Sequence, residues 1–63
     1  MTDFKADFLL LMKDDCFSLT HTLKNNNLTD ALDEAKRIAF TEYRDNVIAL
    51  KVYNDKQIVS MEF

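Results

Sequence analysis

The sequence predicts an α+β domain of ββαββ layout: a four-stranded antiparallel sheet, strand order 2-1-3-4, with one helix packed on one face. Three observations carry this. Apolar residues recur at helical spacing between residues 29 and 44. Alternating segments flank that stretch in two pairs, and each pair is joined by a short cluster of Asp, Asn or Lys. Strands grouped on either side of a single helix belong to an α+β arrangement rather than to a parallel sheet.

The helix is the clearest element. Leu28, Leu32, Ala35, Ile38, Ala39 and Tyr43 fall three and four apart and form one apolar stripe. Thr29 is the expected N-cap, and Asp30, Asp33 and Glu34 lie in the first turns, where the helix dipole favours acids. Arg44 lies in the last turn, and Asn46 can take the left-handed stop that Gly usually fills. Ala35 and Ala39 would let the helix approach a sheet closely.

Two hairpins follow from the remaining segments. Asp7 to Lys13 and Cys16 to Leu23 flank a turn at Asp14-Asp15, while Val47 to Tyr53 and Gln57 to Phe63 flank Asn54-Asp55-Lys56. With two-residue turns, Met12 faces Phe17, Leu10 faces Leu19 and Phe8 faces His21. In the second hairpin Leu50 faces Val59 and Ile48 faces Met61. Both registers gather large apolar groups on one face. The first and third strands are the more apolar on both sides and are therefore placed centrally. A competing reading makes residues 3–13 a helix through Phe4, Phe8 and Leu11. Under the hairpin reading, aspartate at Leu32 or Ile48 puts an unpaired charge in the core and is expected to unfold the chain.

The layout leaves one sheet face without a helix. It would carry Leu9, Leu11, Val47, Ala49, Tyr53 and Ile58, edged by Cys16, Ser18, Thr20, Lys51, Ser60 and Glu62. An apolar centre rimmed by polar groups marks this face as the first candidate for a partner-binding surface. Phe40 falls outside the helical stripe, beside Lys36, and either folds over a sheet edge or contacts a partner. The candidate partner-binding residues are thus Leu9, Leu11, Lys51, Tyr53, Ile58 and Phe40.

Composition narrows the function. The 63 residues form a single domain near the lower size limit for independent folding, so a homodimer or a lasting partner is expected. There is no Gly, Pro or Trp. Glycine-dependent chemistry is excluded with them: no phosphate loop, dinucleotide fingerprint or nucleophile elbow is possible. A net charge of −3, with eight scattered Lys and Arg, argues against nucleic acid. Eleven carboxylates offset by eight cations are too few for a mimic of DNA. One cysteine excludes an internal disulfide and fits a reducing cytoplasm. The longest apolar run, Phe8 to Met12, is too short for a bilayer span or a signal segment, so no membrane is expected.

No catalytic or metal-binding set emerges, and no cofactor is expected. Cys16 and His21, five residues apart on one strand, point to opposite faces and make no nucleophile–base dyad. His21 reads as a core-edge residue beside Phe8, and Cys16 as a surface or interface thiol. Zinc would need ligands from another chain. Asp14 and Asp15 read as turn residues. The chain is therefore expected to be no enzyme.

The segment Ala49-Leu50-Lys51-Val52-Tyr53-Asn54-Asp55-Lys56-Gln57-Ile58-Val59, with the order of elements around it, resembles small phage-encoded host-takeover proteins such as the Dmd-type antitoxins of T-even phages. The resemblance spans the layout of the whole chain and, at the level of residues, one strand–turn–strand. It carries over no functional residue. It implies an inhibitor that acts in the host cytoplasm by direct binding to a target protein. Self-association as a homodimer is the other expected contact. From a different class, a homo-oligomer could bind a small ligand such as a nucleotide at its subunit interfaces, using Lys51, Tyr53 and Arg44.

Overall fold

The computed structural model describes residues 3–63. Its order of elements is β1 (Lys5–Met12), β2 (Asp15–Thr22), α1 (Leu28–Ile38), β3 (Val47–Tyr53) and β4 (Ile58–Glu62). The strands form one antiparallel sheet in the order β2-β1-β3-β4, as the sequence predicts, and residues 5–12 are strand rather than helix. Among the described residues, no helix is long and apolar enough to cross a membrane.

Asn27, not Thr29, caps α1: its side-chain oxygen accepts from the backbone N–H of Thr29 (2.9 Å) and Asp30 (3.3 Å). Asn is as good an N-cap as any residue, and this position brings Leu28 into the first turn. After Ile38 the helix widens into a π turn, Ala39–Tyr43, closed by the Arg44 N–H bonding to the Ala39 carbonyl. Arg44 ends the π turn at φ 50° and ψ −122°, a positive-φ conformation outside the left-handed helical region, and a 3-10 turn, Arg44–Asn46, leads into β3; the expected left-handed stop at Asn46 does not form. Ala31, Ala35 and Ala39 recur every fourth residue and are fully buried, while Leu28, Leu32, Ile38 and Tyr43 flank them half-buried. The three small side chains are what bring the helix down onto the sheet.

The first turn is Lys13-Asp14, one residue earlier than predicted, with φ 49° and 73°. Two successive positive φ angles are the signature of the two-residue turn that matches strand twist. Met12 therefore pairs with Asp15, Leu10 with Phe17, Phe8 with Leu19 and Ala6 with His21. In the second hairpin, Asn54–Gln57 forms a four-residue turn. The Asn54 Oδ1 accepts from the N–H of Lys56 and Gln57, and Leu50 pairs with Met61. Both registers differ from the expected ones by two residues. A shift of two preserves the side-chain period, so each predicted face keeps its residues although the partners change.

One stretch does change face. Leu9 pairs with Ala49, but Leu10 pairs with Val47, so β3 carries an extra residue, Ile48, at a bulge. Beyond the bulge the alternation inverts. Val47 turns inward and is 7 % exposed, whereas Ile48, expected in the core, is only half-buried. The core comprises Phe4, Ala6, Phe8, Leu10, Leu23, the three alanines, Val47, Leu50 and Val52. Its centre lies under the helix on β1 and β3. The helix does not reach the outer part of the first hairpin: Met12, Phe17 and Leu19, expected inside, stay exposed on the helix side. The molecule is correspondingly long, 38 × 19 × 16 Å.

The bulge predicts an asymmetry between neighbours. Val47→Asp should destabilise by about 3–5 kcal/mol, the cost of an uncompensated buried charge, and leave no cooperative thermal transition. Ile48→Asp should cost roughly 1 kcal/mol, in line with half of one side chain's burial, and keep the transition. The turn predicts a gain. Replacing Lys13-Asp14 by Asn-Gly should stabilise by about 1 kcal/mol and raise the melting temperature, followed by circular dichroism, by about 4–8 °C.

Candidate functional site

The uncovered sheet face is ordered by the register into rows that cross the strands. Nearest the first turn are Cys16 and Leu11; then come Ser18, Leu9, Ala49 and Glu62. The third row is Thr20, Asp7, Lys51 and Ser60, and the fourth is Thr22, Lys5, Tyr53 and Ile58. Leu9, Leu11, Lys51, Tyr53 and Ile58 all lie on this face, as the sequence predicts. Val47 does not: the bulge turns it under the helix. Lys51 is not at the rim either, for it occupies the middle of central strand β3, opposite Asp7.

The polar row therefore divides the apolar surface in two. Leu9 and Leu11, the latter 45 % exposed, lie on one side of it; Tyr53 and Ile58, the latter 65 % exposed, lie on the other. Asp7 organises the division. Its Oδ1 accepts from the Thr20 hydroxyl (2.7 Å) and from the Tyr53 hydroxyl (3.2 Å), which holds the Tyr53 ring against the sheet. Sequence reasoning treated Asp7 only as the start of a strand. The alternation Lys5, Asp7, Leu9, Leu11 was the signal that places it on this face.

Phe40 lies apart, on the helix side. Its ring is 64 % exposed and stands 6.1 Å from that of Phe63, beyond the end of β4, beside a hollow lined by Arg44 and Ile48. Arg44 thus stands near the start of β3, while Tyr53 ends that strand. Within one copy, Lys51 and Tyr53 share the open face in adjacent rows, and Arg44 stands apart from them. The hollow on the open face, about 270 Å³ between Asp7, Leu9, Ala49, Lys51 and Ser60, is slightly smaller than the roughly 300–1,000 Å³ usual for ligand pockets.

Glu34, His21 and Tyr43 are engaged in holding the fold. Glu34 accepts from the backbone N–H of Lys24 (2.9 Å) and Asn25 (3.2 Å) and from the Asn25 amide (2.8 Å), anchoring the loop before the helix. His21 Nε2 and the Tyr43 hydroxyl share a 2.6 Å hydrogen bond, and both rings pack against Phe8 at 5.1 and 5.4 Å. His21 is thus the core-edge residue beside Phe8 that the sequence predicts. Cys16 is exposed on the opposite face. Among the described residues, no three His, Cys, Asp or Glu side chains gather as a metal-binding group. No protein-family model, no curated protein and no solved structure matches the chain.

Both tyrosines titrate above their ordinary value of 10.0. For Tyr43 the causes are burial and then the Glu42 charge; for Tyr53 they are burial, then the hydrogen bond to Asp7, then its charge. The folded chain holds these protons more tightly than the unfolded one. The resulting stabilisation is fully present below pH 10 and is lost as pH rises through the folded-state values. Asp7→Asn removes the charge and should lower the Tyr53 value while leaving that of Tyr43 in place. Tyrosinate absorbance on the variant, with Tyr53→Phe to assign the two steps, checks this.

Proposed function

We propose that the chain is a non-enzymatic protein-binding module, a small inhibitor or antitoxin-like regulator of phage or bacterial origin, that holds a target protein on the uncovered face of its sheet. The observation that carries the reading is the arrangement around Asp7. Tyr53 is oriented by that carboxylate, with Ile58 exposed beside it and Leu9 and Leu11 exposed across the polar row. Tyrosine is a favoured interface anchor because it presents a large amphipathic surface with few torsions to freeze. A polar row between two apolar patches fixes how a partner must be turned, since Asp7 and Lys51 need opposite or hydrogen-bonding groups when water is excluded. The layout resemblance to the Dmd-type antitoxins supports the same mode of action, occlusion of a target by direct binding. Such a protein would work in the cytoplasm of the host cell.

The test is a comparison of two folded proteins. Leu11 and Ile58 both point away from the core, so Leu11→Lys with Ile58→Lys should keep the wild-type melting curve. Wild-type protein immobilised in a host lysate should retain a specific protein, identified by mass spectrometry, and the double variant should lose at least tenfold of it. Equal capture by both proteins would refute the open-face contact and turn attention to the surface around Phe40.

A further inference from the structure

The first hairpin leaves a second surface unpartnered, and it has a different character from the open face. Among the described residues, β2 bonds only to β1, so its outer edge carries free backbone groups. The Leu23 N–H bonds to the Phe4 carbonyl at 2.8 Å, and this fixes the phase of the ladder. Counting back by alternation, the odd-numbered residues of β2 exchange bonds with β1, and Cys16, Ser18, Thr20 and Thr22 direct theirs outward. Edge strands are ordinarily protected by Lys, Pro, bulges or shortness. β4 is five residues long and ends on Glu62. β2 is eight residues long, has no Lys, Arg or Pro, pairs with β1 without a bulge, and has its one carboxylate, Asp15, at its end. On its helix side Phe17 and Leu19 are 43 % and 41 % exposed, next to the exposed Met12 of β1.

We infer that this edge pairs with the same edge of a second copy, antiparallel and centred on Ser18, joining two four-stranded sheets into one. The register follows from the side chains. Outward-directed residues must face each other, which admits few centres. Centring on Phe17 sets Asp15 against Leu19, and centring on Leu19 sets Phe17 against His21. Centring on Ser18 sets Phe17 of each copy against Leu19 of the other, and each Asp15 carboxylate against an imidazole of His21. Cys16, Ser18 and Thr20 then exchange both backbone bonds with Thr20, Ser18 and Cys16 of the second copy. The two-fold axis stands perpendicular to the sheet, so both helices lie on one side. Phe17 and Leu19 of the two copies meet there as one apolar cluster between the helices, with one Met12 flanking it at each end. Both open faces remain exposed on the other side, so this contact is independent of the proposed target site.

Sedimentation equilibrium of the full chain is expected to give twice the chain mass. Ser18→Pro removes an N–H that makes no bond within one copy and should halve that mass; Phe17→Lys, at an exposed position, should do the same if the proline variant does not fold. The register has its own test. Thr20→Cys places a thiol opposite Cys16 of the other copy, so mild oxidation should convert that variant to a covalent dimer. Wild-type protein should not cross-link, because its two Cys16 residues would lie about 14 Å apart along paired strands, beyond the roughly 7 Å reach of a disulfide. A wild-type monomer would overturn the inference and leave the edge to a foreign strand. A dimer that survives both Ser18→Pro and Phe17→Lys, or wild-type cross-linking through Cys16, would overturn the interface or its register.

Discussion

One short helix must cover a four-stranded sheet, and the division between core and exposed surface follows from how far it reaches. The eleven α-helical residues of α1 span about 16 Å at the usual rise per residue. The eight-residue strands β1 and β2 run to about 27 Å. The chain spends the available cover on the central strands. A line of three alanines brings the helix close enough for Phe8, Leu50 and Val52 to be fully enclosed, and the π turn extends the cover to Tyr43, which closes over His21. What the helix cannot reach remains apolar and exposed: Met12, Phe17 and Leu19 on its own side, Leu9, Leu11 and Ile58 on the other. In a chain of this size every large apolar side chain outside the core is a substantial share of the hydrophobic surface, which is why these groups bear on function.

The absence of glycine shapes the connections. Lys13, Asp14 and Arg44 all adopt positive φ, a conformation that costs any side-chain-bearing residue some stability. Elsewhere the chain uses side chains to hold its turns: Asn27 caps the helix, Asn54 closes the second hairpin, and Glu34 reaches back to the loop at Lys24 and Asn25. These are local hydrogen bonds that replace what backbone freedom would otherwise supply.

The element order, the strand order and the faces were legible in the sequence because each rests on period or chain direction, which survive small errors. Moving a turn by one residue shifts the pairing by two, and a side chain stays on its face. Exact partners were not legible, since no Gly or Pro marks the turn. Nor was the bulge at Ile48: alternation continues on paper through Val47 and Ile48, and only the pairing of Leu10 with Val47 reveals the inversion. Of the six candidate site residues, five share the open face for the predicted reason. Phe40, read as a helix residue outside the apolar stripe, stands on the helix side beside Phe63. Asp7 was missed because a strand's first polar residue reads as its boundary.

The hairpin that outruns the helix also makes stability uneven along the molecule. Beyond Leu10 its ladder is flanked by no packed layer on either face, whereas the backbone around Phe8 and Val52 lies beneath α1. Amide hydrogens under the helix can exchange with solvent only when the whole domain opens. Those near Lys13 can exchange through fraying of the tip, at a much smaller opening free energy. The uneven burial leads one to expect two regions of different opening free energy, with Leu11 in the less protected one. A partner that grips Leu11 would slow exchange at the tip while leaving the core amides unchanged, so the exposed end of the hairpin would report occupancy that the buried end could not sense.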